Sequence, residues 1–158
     1  MDLGDMRRVD YSNKKPDLSL KEFSPEPGVP FVYFLTAYGT KDPFYIGEYG
    51  KATGYNVIKR ISSHFANSGT LRRVANNLDA FCVVKPDTFS AYIKQLPDKY
   101  RDDGRRKSLE AWIIFIVCHE KKIQSRNFCV VRYQAPTYNE QVYARQIINE
   151  LEQLGGNV

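Results

Sequence analysis

Between Phe31 and Phe65 the hydrophobic pattern of the chain changes period, and the change predicts a hairpin followed by a helix. FVYFLT, residues 31 to 36, is apolar on both faces and rich in β formers, as expected of a strand inside a sheet. A polar connection from Tyr38 to Asp42 leads to a second strand at about 43 to 48, so the two should pair antiparallel. With the turn centred near Thr40, positions whose numbers sum to about 80 face each other. Tyr33 and Tyr45 then share one face, a diagonal step apart, unless the register slips by one residue. Beyond Gly47, Gly50 and Gly54, Asn56 is a candidate N-cap for a helix at about 57 to 66. Val57, Ile58, Ile61 and Phe65 form its apolar stripe, with Arg60 and His64 four apart along one edge.

The flanking segments predict the rest of an α+β domain. Residues 1 to 30 are polar and carry Pro16, Pro25, Pro27 and Pro30, which reads as an arm preceding a single domain at 31 to 158. LDAFCVVK from Leu78 predicts a third strand, and TFSAYIKQL from Thr88 a helix ending near Pro97. YRDDGRRK should be an exposed turn. From Ser108, SLEAWIIFIVCHE is apolar almost all the way round, which predicts a buried helix. NFCVVRY from Asn127 reads as an extra strand. A final helix from about 138 is announced by the capping box Thr137 to Glu140, with Tyr143, Ile147, Leu151 and Leu154 as its stripe. The expected fold is a small antiparallel three-stranded sheet flanked by helices, with an extra strand and a C-terminal helix.

Composition is that of a globular domain, 42% hydrophobic and 26% charged, and no apolar run approaches the length of a membrane span. No secretory signal is apparent at the start, so the expected location is intracellular and cytoplasmic. Cys82, Cys118 and Cys129 stand singly in apolar runs and read as reduced, buried thiols. The net charge of +5 matters chiefly through its placement. From Tyr49 to Leu78 there are five basic residues, Lys51, Lys59, Arg60, Arg72 and Arg73, and no carboxylate. Such a window favours a polyanion, although a basic face is more often simply solvated.

Glu110 is the most informative residue of the second half. A carboxylate on an apolar helix is costly unless paired or metal-bound, so it reads either as the partner of an arginine or as a metal ligand. Tyr33 and Tyr45 read either as core aromatics with satisfied hydroxyls or as site groups.

Taken together, these residues resemble the GIY-YIG nuclease family. Val32-Tyr33 stands where that family has the last two letters of its first motif, and Tyr45-Ile46-Gly47 matches the second in full. Arg60, with His64 four residues on, looks like the family's catalytic arginine and its frequent histidine. Glu110 in LEAW looks like its metal-binding glutamate. The resemblance spans residues 31 to 130 or so and has departures. Phe31 replaces the first motif's glycine, the link from Gly47 to Arg60 is long, and the family's late asparagine has two candidates, Asn127 and Asn139, of which spacing favours Asn127.

The resemblance implies a metal-dependent DNA endonuclease, small and of restriction or phage type. Other readings are a structure-specific repair or recombination nuclease and a non-catalytic DNA-binding module that keeps the fold. Tyr33 would be the general base toward water, its pKa lowered by nearby cations, and Tyr45 would position water or phosphate. Arg60 would hold the non-bridging oxygens, with His64 assisting. Glu110 would carry one Mg²⁺ or Mn²⁺, and Asn127 completes the implied set. Lys51, Lys59, Arg72 and Arg73 are the expected DNA contacts, and cutting both strands would call for a homodimer or two successive events.

Overall fold

A computed structural model of the chain describes residues 6–12, 15–16, 28–37, 43–50, 57–63, 88–121 and 138–156. The expected strand from Leu78 and the expected strand from Asn127 lie outside these residues, as do Asn56 and Thr137. The described strands are β1 (Arg7–Ser12), β2 (Lys15–Pro16), β3 (Phe31–Ala37), β4 (Pro43–Tyr49) and β5 (Thr88–Gln95), and the α-helices are α1 (Val57–Ser63), α2 (Asp103–Phe115) and α3 (Gln141–Gly156). A 3-10 turn at Asp98–Arg101 precedes α2, and a π-helical turn at Ile116–Glu120 continues it. The strands form one antiparallel sheet in the order β2-β1-β5-β3-β4. The fold is therefore mixed α+β, with five described strands in one sheet where the sequence pattern predicted a three-stranded sheet and an extra strand.

The hairpin register is the predicted one. Phe31 pairs with Tyr49, Tyr33 with Gly47 and Leu35 with Tyr45, until a bulge at Leu35/Thr36 shifts Thr36 onto Pro43. Each face of the sheet has its own core. On one face Val9, Tyr11, Phe31, Tyr33, Leu35, Phe89 and Ile93 pack with Val57 and Ile61 of α1. On the other, Val32, Phe34, Ile46 and Tyr92 pack with Leu109, Ile113 and Ile114 of α2 and Ile147 and Leu151 of α3. Burying one such side chain contributes roughly 1.5–3 kcal/mol, so the period-two pattern of β3 and β5 fixes which residues face α1.

Three sequence expectations are corrected. Thr88–Gln95 is a strand, not a helix, and lies between β1 and β3. Phe89, Tyr92, Ile93 and Leu96 also fit a helical stripe, but alternation puts Phe89, Ala91 and Ile93 in one core and Tyr92 in the other. A segment this short satisfies both periods, and pairing on both sides decides between them. Next, Arg7–Ser12 and Lys15–Pro16, expected as part of an arm, are β1 and β2. Val9 and Tyr11 of β1 are fully buried, with Tyr11 stacked on Phe89 at 4.5 Å between ring centroids. Pro16 sits in the two-residue strand at the sheet edge, where a missing N–H is tolerated.

The third correction concerns YRDDGRRK, expected to be exposed. Asp102 caps α2 by accepting from the backbone N–H of Arg105 at 2.8 Å, so the helix starts a turn and a half before Ser108. Tyr100 and Arg106 are buried as a result. At the last helix the Glu140 carbonyl accepts from the Ala144 N–H, which places Glu140 at the cap of α3; Thr137, the other half of the expected capping box, lies outside the described residues. No helix among the described residues is long and apolar enough to cross a membrane.

Candidate functional site

Tyr33 is placed by β3, and its ring is aimed by Gly47. The two residues pair directly across the hairpin, and the ring lies over the glycine so closely that a Cβ there would stand 2.6 Å from Tyr33 Cε2 and nearer still to Cζ and the hydroxyl. A glycine at the end of the Tyr45-Ile46-Gly47 motif is thus a spatial requirement of Tyr33. Tyr45, half-buried on β4, lies beside it with ring centroids 6.2 Å apart and planes 29° from parallel.

Arg60, from α1, and Glu110, from α2, complete the group. Both act electrostatically on both tyrosines, and Arg60 acts on Glu110. Four residues named from the sequence, on two strands and two helices, therefore come together. His64, Asn127, Lys51, Arg72 and Arg73 lie outside the described residues. Lys59 is exposed on α1, and Asn139 is exposed just before α3.

The protonation of the site differs from the expectation in one respect. Burial, then the neighbouring Tyr45, pushes Tyr33 well above the ordinary tyrosine range; Arg60 pulls it down, while Glu110 and Glu48 add to the rise. The expectation of a pKa lowered by nearby cations is corrected, because desolvation outweighs one guanidinium. Tyr45 is pushed up to about 12 by burial first and the Glu110 charge next, with a hydrogen bond from Tyr33 lowering it slightly. Both groups are neutral phenols at pH 7.

Glu110 is half-buried, and its carboxyl is pushed up to about 8 by desolvation and then by the charge of Glu48. Lys107, Arg106 and Arg60 pull the other way without prevailing. Among the described residues no hydrogen bond or ion pair reaches its carboxyl, so the arginine-pairing reading is not met there. Nor does any group of three or more His, Cys, Asp or Glu among the described residues have the arrangement to hold an ion. Glu110 could supply one carboxylate to an oxygen-preferring divalent cation whose other ligands were water and phosphate oxygens.

No protein-family model, curated protein or solved structure matches this chain. Meaning for the site therefore rests on its own geometry and on its motifs.

Two residues beside it were missed in the sequence. Glu48 follows Gly47 and acts on Tyr33, Tyr45 and Glu110 alike. Arg106, only 3% exposed, donates to Glu48 and Asp103 through Nε and Nη2, and through Nη1 to the carbonyls of Tyr100 at 3.0 Å and Arg101 at 3.3 Å. Arg106 precedes Glu110 by four, a signal that becomes readable once α2 is known to begin at Asp103.

Proposed function

We propose that this chain is a metal-dependent DNA endonuclease that hydrolyses phosphodiester bonds, of the GIY-YIG kind that its motifs resemble. The observation that carries the reading is the convergence of Tyr33, Tyr45, Arg60 and Glu110, which lie up to 77 positions apart, on one electrostatically coupled site. Hydrolysis of a phosphodiester needs an activated water, compensation for charge on the phosphoryl oxygens and help for the leaving oxygen.

Each need has a candidate here. Arg60 would bind the non-bridging oxygens of the scissile phosphate, as a guanidinium does through paired N–H groups. Glu110 would hold one Mg²⁺ or Mn²⁺, and the charge of such an ion would stabilise the leaving 3′ oxygen. Tyr33 Oη would accept the proton of the attacking water, and the Tyr45 hydroxyl would orient that water or the phosphate. Tyr33 must act as the phenolate, and the resting site holds it as the phenol, so the rate of cleavage should rise with pH across the range from 7 to 9. A rate independent of pH over that range would remove Tyr33 from the role of base.

The raised pKa of Tyr33 is also the observation that favours the second reading, a DNA-binding module that keeps the fold without the activity. Supercoiled plasmid incubated with Mg²⁺ distinguishes the two. Wild type should nick or cut, whereas Glu110→Ala and Tyr33→Phe should bind the plasmid and leave it intact. A wild-type protein that shifts the plasmid in a gel and never cuts it would establish the module. Equal cutting by Glu110→Ala would overturn the assignment of the cation ligand.

A further inference from the structure

The Arg106 guanidinium is bonded through all three of its nitrogens, and nothing in the proposed reaction uses it. It is buried at the junction of three elements: Glu48 belongs to β4, Tyr100 and Arg101 to the 3-10 turn, and Asp103 to the first turn of α2. A fourth neighbour is backbone. Gly50, just past β4, passes so near that a Cβ on it would lie 2.6 Å from Arg106 Nη1 and 2.8 Å from Cζ. The guanidinium cannot swing aside cheaply, because moving it would leave a buried charge without its acceptors.

We infer that Arg106 and Glu48 are a positioning pair, which locks the start of α2 onto β4 and thereby fixes where the Glu110 carboxylate stands relative to Tyr45 and Tyr33. The inference rests on the reading of Glu110 as the cation ligand. Arg106 and Glu110 lie one helical turn apart on the same side of α2, so a guanidinium anchored to β4 sets the azimuth and depth of the carboxylate that follows it. Glu48 is three residues past Tyr45 on the same strand, so the pair ties the helix that carries the carboxylate to the strand that carries the phenol. The reach of the Glu48 charge to Tyr33, Tyr45, Glu110 and Lys107 agrees with this placement. Lysine cannot replace Arg106 here, since one ammonium with three donors does not span acceptors on three elements.

The pair is tested by binding of Mn²⁺ to the full chain without DNA, followed through the paramagnetic resonance of the free ion, with the thermal midpoint read on the same samples. Residues that orient a metal ligand typically change metal affinity about 10- to 100-fold when altered. Arg106→Lys and Gly50→Ala should each weaken Mn²⁺ binding by about tenfold or more. Gly50→Ala displaces the guanidinium without altering any charge, and it carries the test if Arg106→Lys does not fold. Glu48→Gln keeps an acceptor for Arg106 Nε and should weaken binding less than Gly50→Ala. Arg145→Gln, which breaks an exposed pair with Glu120 elsewhere on the molecule, should bind Mn²⁺ as wild type does.

Wild-type affinity in both Arg106→Lys and Gly50→Ala would overturn the inference, whatever happens to their thermal midpoints, because a purely structural pair alters stability and not the affinity of the folded protein. Failure of the nuclease reading has a different signature. Wild type itself would then bind no Mn²⁺, and the positioning role would fall with it.

Discussion

Two junctions of this molecule each enclose a glutamate on or beside a helix, and they treat the charge in opposite ways. At the start of α3, Glu140 is 4% exposed and fully engaged: the Tyr100 hydroxyl donates to one oxygen, and Arg105 donates to the other at 2.9 Å while stacking over the Tyr138 ring. On the flank of α2, Glu110 keeps more of its surface, yet no hydrogen bond or ion pair among the described residues reaches its carboxyl, which desolvation and Glu48 push up to about 8. Structural glutamates are buried with partners. A desolvated glutamate with no such partner among the described residues is one to which a ligand of opposite charge would supply the missing compensation.

The sharpest way to break this comparison is to remove each carboxylate. Glu140→Ala leaves a buried tyrosine hydroxyl and a partly buried guanidinium without their acceptor, and should cost about 3 kcal/mol in a urea titration. Glu110→Ala should change stability at pH 6 by less than about 1 kcal/mol, while abolishing Mg²⁺-dependent nicking. If Glu110→Ala proves the more destabilising of the two, the distinction between a structural and a poised carboxylate is wrong.

A smaller effect is expected where the site meets the sheet. In Gly47→Ala the new methyl group must displace the Tyr33 ring, which is 1% exposed and cannot move without disturbing the β3–β4 pairing. Overpacking of this kind costs about 1–3 kcal/mol, and plasmid nicking should fall at least tenfold because the phenol no longer faces Tyr45. In a Tyr33→Ala background, which removes the ring, Gly47→Ala should cost little further stability. An additive loss of stability in that double variant would show that Gly47 matters for something other than the aim of Tyr33.

The two junctions also differ in how far they could be read from sequence. The hairpin register was legible because a short polar link between two β-rich runs leaves few ways to pair them, and Tyr33, Tyr45, Arg60 and Glu110 followed from it and from the apolar frame of α2. Thr88–Gln95 was not legible, since its eight residues suit either period and only its place between β1 and β3 decides. Val9 and Tyr11 were hidden because β1 opens a polar segment whose prolines, from Pro16 onward, all follow it. Arg106 and Glu140 were hidden for a common reason: each is a charged residue in a polar stretch, and its burial depends on partners far along the chain, Glu48 for one and Tyr100 for the other.

The finest test of the comparison is the response to pH. In the unfolded chain Glu110 should titrate as an ordinary carboxyl near 4.3, whereas the folded protein holds its proton up to about 8. Between those values the folded state binds more protons than the unfolded state, so this group stabilises the fold fully at acid pH and its contribution is lost as pH rises through 8. Unfolding free energies from urea titrations between pH 5 and 8.5 should therefore fall more steeply for wild type than for Glu110→Gln, by about 1–2 kcal/mol over the range once partial exposure is allowed for. Mg²⁺ at millimolar concentration should stabilise wild type at pH 8.5 and leave Glu110→Gln unmoved, since a ligand for the folded state alone raises stability by mass action. Glu140, already compensated by Tyr100 and Arg105, supplies the contrast within the same molecule: a Glu140→Gln variant should respond to Mg²⁺ as wild type does, and a lost response there would mean that the two carboxylates are not independent.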